Sequence, residues 1–249
     1  KAFGPTAFAL TVSDVAQRTG LARPTARRLL LTLEQLGYVR SVDGVYSLTT
    51  RTLELGTSYI SALGMWEVAR PHLEALVKQT GESSSMSQLD GSDIVYTARV
   101  PVAKIIAFSV KIGTLFPSTA TSMGRVLLAD KSAEELDEIL ATPSRSGIIP
   151  RVTPTRVELD ESLAEIRDRG WAMSDEMLSV GVRSIAAPVR DASGRTAAAM
   201  NVTVHAAETS IAHLTGEYLP LLLSTAAAVS QEWSNLALLP IADEQPPRA

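Results

Sequence analysis

Two short helical segments joined by a glycine near the start of the chain constrain the fold most. Residues 11–19 have the apolar spacing of a short helix with Ser13 as a suitable N-cap, and Gly20 suits a tight turn. A second helix is predicted over residues 23–36, with Gly37 at its end. Its helical leucine spacing predicts one buried stripe, formed by Leu29, Leu30, Leu33 and Leu36. Together these features predict a helix-turn-helix.

The sequence YVRSVDGVYSL, which follows the second helix, has the pattern of a β-hairpin. Two runs of β-prone residues flank Asp43 and Gly44. An Asp-Gly pair favours the positive φ angles of a tight two-residue turn. A helix-turn-helix followed by such a hairpin predicts a winged helix-turn-helix over residues 1–50.

The second helix is basic, although the chain as a whole has a net charge of −4. Residues 1–60 contain seven Lys or Arg and four Asp or Glu, so the excess of acidic residues lies in the rest of the chain. A helix fits the major groove of B-DNA, where arginine binds guanine edges and other donors bind phosphates. The candidate DNA-binding residues are Arg23, Pro24, Thr25, Arg27, Arg28 and Arg40. A solvated basic face, or a module that docks on protein, is the alternative.

Residues 51–64 are predicted to form a linker helix between two domains. Leu53, Gly56, Ile60 and Leu63 lie on one side of this segment. A single winged module covers only one half-site of an operator, so we expect a homodimer that pairs two modules. Dimers of dimers would also satisfy this requirement. An ordinary packing helix explains the apolar side equally well.

From residue 65 onwards the pattern is that of an α+β domain. Strand-like runs joined by tight turns alternate with helical patterns, which predicts an antiparallel sheet with helices packed on it. The predicted strands are residues 84–89, 93–100, 104–112, 184–190 and 196–204. The predicted helices are residues 69–80, 121–129, 133–140, 159–169 and 218–236. We assign residues 65–238 to this domain and residues 239–249 to a polar tail.

The residue types and their spacing do not indicate a catalytic site. The chain has no cysteine, which excludes disulfides, thiolate metal sites and cysteine nucleophiles. His72, His205 and His213 lie far apart, and no zinc-protease, phosphate-loop, nucleophile-elbow or dinucleotide-binding pattern accompanies them. We therefore predict no catalytic residue, no metal and no cofactor, and a protein that is not an enzyme.

The apolar segments are too short for a membrane protein. The longest late apolar run, residues 218–230, has 13 uncharged residues, fewer than a bilayer-spanning helix needs. The opening residues KAFGPTAF lack the apolar core of a secretory signal. Because the lack of cysteine also suits a reducing compartment, we expect a cytoplasmic protein without membrane contact.

Three separated segments give the chain a family resemblance. GLARPTARRLLLTLEQLGYV, FPSTATSMGRVLLA and GWAMSDEMLSVGVRSIAAPVRDASGR resemble, in this order, segments of IclR-type transcriptional regulators. The stretches DIVYTARVP, ATSMGRVLLA and AAMNVTVH are most similar to the PcaR, PcaU and PobR branch, which regulates protocatechuate, 4-hydroxybenzoate and β-ketoadipate catabolism. The resemblance implies a GAF-like effector-binding domain and a ligand-responsive regulator that binds double-stranded DNA. Two departures are Ala22, where the family commonly has serine, and a first helix that is incomplete here.

The resemblance also implies which residues contact a small carboxylate effector. Carried over by position, they are Thr121, Ser122, Met123, Gly124, Asp175, Ser184, Asn201 and Thr203. Arg99, Lys104 and Arg183 are further cationic candidates. Residues 121–124 begin a predicted helix, where free N–H groups and the helix dipole favour an anion, although either hydroxyl there could serve only as an N-cap. We expect the anion at this helix start.

Other functions remain open at this point. A small aliphatic acid such as glyoxylate or pyruvate is the alternative effector. A sensor without DNA binding and an enzyme that uses the effector domain as a catalytic pocket are alternatives of other classes. A duplex-binding assay at several salt concentrations separates a sensor without DNA binding from a DNA-binding regulator. When a protein neutralises phosphates, its affinity for DNA falls as the salt concentration rises.

Overall fold

The computed structural model describes residues 2–4, 7–55, 65–103 and 110–237. The chain forms two compact units, residues 1–63 and residues 64–249. In the described part no helix is long and apolar enough to cross a membrane.

The first helix of the first unit, α1, spans Val12–Thr19. It follows strand β1, Ala9–Thr11. Its N-cap is Thr11, whose side chain accepts from the Asp14 N–H while the Asp14 carboxylate accepts from the Thr11 N–H in return. The prediction of Ser13 as the cap was wrong, because this capping box places the N-cap two residues earlier, at Thr11. Gly20, at φ 68°, ends the helix as predicted.

Helix α2, Arg23–Gln35, buries a narrower face than its leucine pattern predicts. Ala26 and Leu30 are buried, one turn apart, against α1 and the sheet of this unit. Leu29, Leu33 and Leu36 are 50%, 38% and 51% exposed, so the predicted stripe of four buried leucines was wrong for these three. The reason is that the described part of the unit packs on one side of α2 only.

The wing is a small antiparallel sheet in the order β1, β3, β2 among the described residues. Strand β2 spans Val39–Val42 and strand β3 spans Val45–Leu48. Asp43 and Gly44 have φ angles of 51° and 78°, which is the two-residue turn that the Asp-Gly pair predicts. Thr49 ties the wing to the end of α2, because its hydroxyl donates to the Gly37 carbonyl at 2.5 Å.

The second unit is built on an antiparallel sheet whose described strands follow the order β6, β5, β4, β9, β8, β7. The strands are β4 Ser83–Asp90, β5 Asp93–Val100, β6 Leu115–Pro117, β7 Ala172–Asp175, β8 Val182–Arg190 and β9 Thr196–His205. The helices are α3 Met65–Thr80, α4 Ser122–Ala129, α5 Ala133–Ala141, α6 Arg156–Arg169 and α7 Leu219–Ala237. A 3-10 turn, Ser118–Ala120, leads into α4, and a π-helix, Leu214–Tyr218, leads into α7.

Most predicted elements of this unit are present, which confirms the α+β fold. The five predicted helices occur within four residues of their expected starts. The predicted strand over residues 104–112 lies mostly outside the described residues, and so do the tail and residues 56–64 of the linker. Helix α4 packs between the sheet and α6, with Met123, Val126, Leu127 and Leu128 buried. The first turn of α4 is thereby fixed over one face of the sheet.

Candidate functional site

The first candidate site is an open basic groove on the first unit. Arg23, Pro24, Arg27 and Arg28 line it, with Val12 and Leu31 as its apolar part. All three arginines are exposed and form no ion pair with any residue that the structure describes. The first turn of α2 contains no acidic side chain that would offset their charge. The groove therefore presents uncompensated positive charge at a helix start.

The other two predicted DNA-binding residues lie outside the lining of this groove. Thr25 is half-buried in α2, one position before buried Ala26. Arg40 is exposed on strand β2 of the wing, where its Nε donates to the Ser47 hydroxyl at 3.3 Å. Ala22, the residue before α2, has no side-chain acceptor for the free N–H groups of the first turn. A phosphate oxygen is a suitable acceptor for such groups.

The second candidate site is a cavity in the second unit, bounded by the sheet and the start of α4, which we call the effector cavity. The predicted effector residues Thr121, Ser122, Met123, Ser184, Asn201 and Thr203 all line it. Its enclosed volume is about 40 Å³, and about 530 Å³ when the space at its mouth is included. Because one water needs roughly 10–15 Å³ of enclosed space, a ring-sized ligand also occupies the mouth.

The structure does not bring the other two predicted effector residues into the lining. Gly124 is buried behind it, and a Cβ there would lie 2.1 Å from the Ser118 carbonyl oxygen, so this glycine allows the 3-10 turn to pack on α4. Asp175 forms an ion pair with Arg183, Oδ1 to Nε, at 2.6 Å. Arg183, one of the further cationic candidates, is therefore already bound to a carboxylate. Lys104 lies outside the described residues.

The buried hydroxyls of the cavity form a pair between α4 and strand β8. Ser122 Oγ and Ser184 Oγ are 2.7 Å apart, and both residues are less than a tenth exposed. Thr121 is the N-cap of α4, because its hydroxyl accepts from the Gly124 N–H at 3.1 Å. Each serine hydroxyl can rotate away from its partner and hydrogen-bond a ligand instead. The Thr121 hydroxyl is already used as the N-cap of α4.

A second polar group of the cavity is built around Arg99. The Arg99 guanidinium donates through Nη1 to the Ser85 hydroxyl at 3.0 Å. The Ser85 N–H donates to the Asn201 side-chain oxygen at 3.0 Å, and the Asn201 amide donates to the Thr203 hydroxyl at 2.9 Å. Burial lowers the pKa of Arg99, but a guanidinium remains protonated in proteins. The network therefore places a charged donor at the cavity.

Tyr96, which the sequence interpretation did not identify, also lines the cavity. Burial raises the pKa of Tyr96 to about 12, so its hydroxyl is a neutral donor at physiological pH. In a regular strand Tyr96 and Arg99 would point to opposite faces, since side chains alternate. A bulge at Thr97, where Met86 pairs with Ala98 and Ser87 pairs with Tyr96, shifts the alternation. Sequence spacing alone does not reveal such a bulge.

Apolar residues complete the cavity wall. Phe116 packs edge-on against Tyr96, with 5.6 Å between the ring centroids, and Leu178 and Val182 line the side near strand β8. Leu178 belongs to the segment between β7 and β8, in which Glu176 has a φ of 52° and accepts from the Gly181 N–H at 2.6 Å. The cavity thus combines apolar and aromatic side chains with a few buried donors, as small-molecule sites do.

The histidines have separate local partners. His72 Nε2 lies 2.8 Å from Glu232 Oε2, His205 Nδ1 accepts from the Ala207 N–H, and His213 packs on Tyr218. No group of three potential metal-ligating residues occurs in the part of the chain that the structure describes.

Comparisons with known proteins identify the families of both units. Residues 1–43 match the IclR helix-turn-helix domain, and residues 57–231 match the C-terminal domain of bacterial IclR transcriptional regulators. The Pca regulon regulatory protein of Pseudomonas putida is 36% identical over 86% of this chain and 74% of its own length.

Two solved structures are also similar. A transcriptional regulator from Rhodococcus sp. RHA1 is 46% identical, with a TM-score of 0.78 over 94% of each chain. The inducer-binding domain of a PobR double mutant from Acinetobacter, solved with 3-hydroxybenzoic acid, is 29% identical, with a TM-score of 0.59 over 66% of this chain and 96% of its own. These relatives are regulators, which confirms the prediction that this chain is not an enzyme. The chain belongs to the IclR family of transcriptional regulators.

Proposed function

We propose that this regulator controls an operon for aromatic-acid catabolism and responds to a small aromatic carboxylate bound in the effector cavity. The observation that carries the proposal is Arg99, a half-buried cation that lines the cavity and has no carboxylate partner among the described residues. Hydroxyls and apolar side chains lie in the same cavity. The relatives add support, since one is named for the Pca regulon and another holds 3-hydroxybenzoic acid.

The effector carboxylate binds Arg99 in this proposal, and the ring hydroxyl binds the Ser122 and Ser184 pair. This differs from the expectation that the anion lies at the start of α4. A guanidinium carries a full charge, whereas a helix start carries about half a charge, and Thr121 already caps α4. Met123 and Phe116 pack on the ring, and Asn201 and Thr203 hold Arg99 in place through Ser85.

Replacing Arg99 tests this assignment. We expect Arg99→Gln to weaken 4-hydroxybenzoate binding roughly tenfold to a hundredfold, because hydrogen bonds to charged groups contribute about 1.5–3 kcal/mol. Isothermal titration calorimetry measures the change. Arg99→Lys should retain part of the affinity, since it keeps the charge but loses the planar donor pair.

The matched control for this experiment is Arg195→Gln. The Arg195 side chain is 80% exposed and does not line the cavity, so its loss changes the net charge equally without touching the effector. Affinity in Arg195→Gln should equal that of the unmodified protein. If Arg99→Gln also binds the acid with unchanged affinity, the carboxylate does not lie at Arg99.

A small aliphatic acid such as pyruvate or glyoxylate is the second candidate effector. The small cavity volume of about 40 Å³ favours it, because a short acid needs less additional space than an aromatic acid does. A thermal-shift screen of protocatechuate, 4-hydroxybenzoate, β-ketoadipate, pyruvate and glyoxylate decides between the classes, since a ligand that binds only the folded state raises its melting temperature.

We also propose that the regulator is a cytoplasmic homodimer or a dimer of dimers. Residues 1–50 are its DNA-binding domain, residues 51–64 its linker and residues 65–238 its effector domain. Exposed Leu29, Leu33 and Leu36 support an apolar contact between copies. Sedimentation velocity should show dimers or tetramers at micromolar concentration. The double substitution Leu29→Ser and Leu33→Ser should shift them towards monomers, whereas Val157→Ser, which changes an exposed valine of the second unit, should not.

A further inference from the structure

Tyr96 is held in the wall of the effector cavity by its backbone and by its ring. It is 7% exposed and lines the cavity. Its N–H donates to the Thr114 carbonyl at 3.0 Å, and its carbonyl accepts from the Gly113 N–H at 2.8 Å. Its ring packs edge-on against Phe116. The side chain is therefore fixed in position at the cavity before a ligand binds.

The hydrogen bonds of Asn201 determine which way its side-chain amide faces. The Ser85 N–H can only donate, so the Asn201 atom that it meets at 3.0 Å is the side-chain oxygen. The NH2 group then donates one of its two protons to the Thr203 hydroxyl, at 2.9 Å. Its second proton remains for another acceptor.

The Tyr96 oxygen is that acceptor. Burial raises the pKa of Tyr96, whereas Arg99 and a hydrogen bond from the Asn201 side chain lower it. A hydrogen bond that lowers the pKa of a phenol favours the ionised oxygen, so it is donated to that oxygen. The bond to Asn201 therefore does not use the proton of the Tyr96 hydroxyl, and this proton can be donated to an anion in the cavity.

Arg99 alone does not satisfy a carboxylate inside the cavity. A carboxylate has two oxygens, which together offer about four acceptor sites. Arg99 already uses Nη1 to donate to the Ser85 hydroxyl at 3.0 Å. A buried acceptor that lacks a donor is unfavourable. The effector carboxylate therefore needs a second donor next to Arg99.

Tyr96 is the hydroxyl best placed to be this donor. Three other hydroxyls of the lining, those of Ser174, Ser184 and Thr203, lie on strands β7, β8 and β9. These strands are two or more positions away from β5 in the sheet, and neighbouring strands are about 4.8 Å apart. Tyr96 shares β5 and one face of the sheet with Arg99 because of the bulge between them, and the two side chains interact electrostatically.

We propose that Tyr96 donates a hydrogen bond to the effector carboxylate beside Arg99, and that the two donors together select a carboxylate over a carboxamide. This inference rests on the proposed function, because it assigns a second donor to the same acid. Arg99 and Tyr96 both offer protons, which suits two acceptor oxygens. A carboxamide lacks the negative charge, and its NH2 group would place further protons against one of these donors.

The test removes the Tyr96 hydroxyl and keeps the ring. Tyr96→Phe does this, and Tyr218→Phe is its matched control, since Tyr218 packs on His213 and does not line the cavity. Calorimetry on the full chain measures the affinities for 4-hydroxybenzoate, benzoate and 4-hydroxybenzamide at up to millimolar concentration. The melting temperature of each protein without ligand checks that it folds.

We expect Tyr96→Phe to bind 4-hydroxybenzoate and benzoate about tenfold more weakly than the unmodified protein, because a hydrogen bond to a charged group is lost. Its affinity for 4-hydroxybenzamide should fall less than about threefold, so that the preference for the acid narrows. Tyr218→Phe should bind all three ligands like the unmodified protein. A structure of the unmodified protein with the acid should place Tyr96 Oη about 2.5–2.7 Å from a carboxylate oxygen.

Three results would overturn the second donor. The first is unchanged affinity of Tyr96→Phe for 4-hydroxybenzoate. The second is a loss confined to 4-hydroxybenzoate with benzoate spared, since Tyr96 would then bind the ring hydroxyl. The third is an equal loss for acid and carboxamide with a lowered melting temperature, which would make Tyr96 a structural residue only.

The proposed function is tested separately by the same titrations. In all three cases it stands if Arg99→Gln still loses affinity for the acid. If the unmodified protein binds no aromatic acid, the proposed function fails, and the second donor fails with it.

Discussion

Replacing Arg27 and Arg28 together with alanine is expected to weaken operator binding roughly thirtyfold or more. Both side chains line the basic groove at the start of α2 and have no ion-pair partner among the described residues. An arginine that reads a base contributes about 1–3 kcal/mol of affinity, and so two such contacts contribute about twice that. Fluorescence anisotropy with a labelled operator measures the loss.

The salt dependence separates the two roles that arginine can have. If both residues bind phosphates, the slope of log affinity against log salt should become shallower by roughly two, and all sequences should be weakened alike. If one residue reads a base, preference at that operator position should relax. The effector affinity should be unchanged, because the substitutions lie in the other unit.

The control is the double variant Lys78→Ala and Arg195→Ala. It removes the same number of positive charges from exposed positions of the second unit. Operator affinity in this control should be close to that of the unmodified protein. Equal affinity in the Arg27 and Arg28 variant would show that α2 does not contact DNA through these residues.

Local sequence patterns predicted the elements of this protein well, since each depends on neighbouring residues. Gly20 and the Asp43-Gly44 pair adopt the positive φ angles that their turns require. The same patterns predicted the burial of α2 poorly, because burial depends on which sides of a helix the rest of the unit covers. Leu29 and Leu30 are adjacent in sequence but are 50% and 2% exposed.

The residues of the effector cavity were also hard to predict, because they come from positions far apart in the sequence. Ser122 and Ser184 are hydrogen-bonded although 62 residues separate them, and only the family resemblance connected them beforehand. Asp175 was expected in the cavity, but Arg183 on the neighbouring strand binds it instead. Tyr96 and Arg99 reach one cavity because of a bulge at Thr97, and a bulge depends on the pairing of strands.

Substituting Ser122 by leucine is expected to abolish the response of operator binding to the effector. Ser122 is 1% exposed, and its hydroxyl pairs with that of Ser184 in the lining of the cavity. Leucine adds bulk where about 40 Å³ is free, and it also removes the hydroxyl partner of Ser184. Overpacking costs about 1–3 kcal/mol of stability, which a domain of this size tolerates.

The measurement compares operator affinity with and without the aromatic acid, together with the melting temperature. Ser122→Leu should fold and bind the operator, but the acid should change neither its melting temperature nor its operator affinity. Leu163→Ala is the control for lost stability, since Leu163 is buried in α6 and does not line the cavity. That variant should be less stable by about 2–5 kcal/mol and should still respond to the acid. If folded Ser122→Leu still gains stability from the acid and still responds at the operator, the effector binds elsewhere, because no ligand can shift an equilibrium from a cavity that it cannot enter.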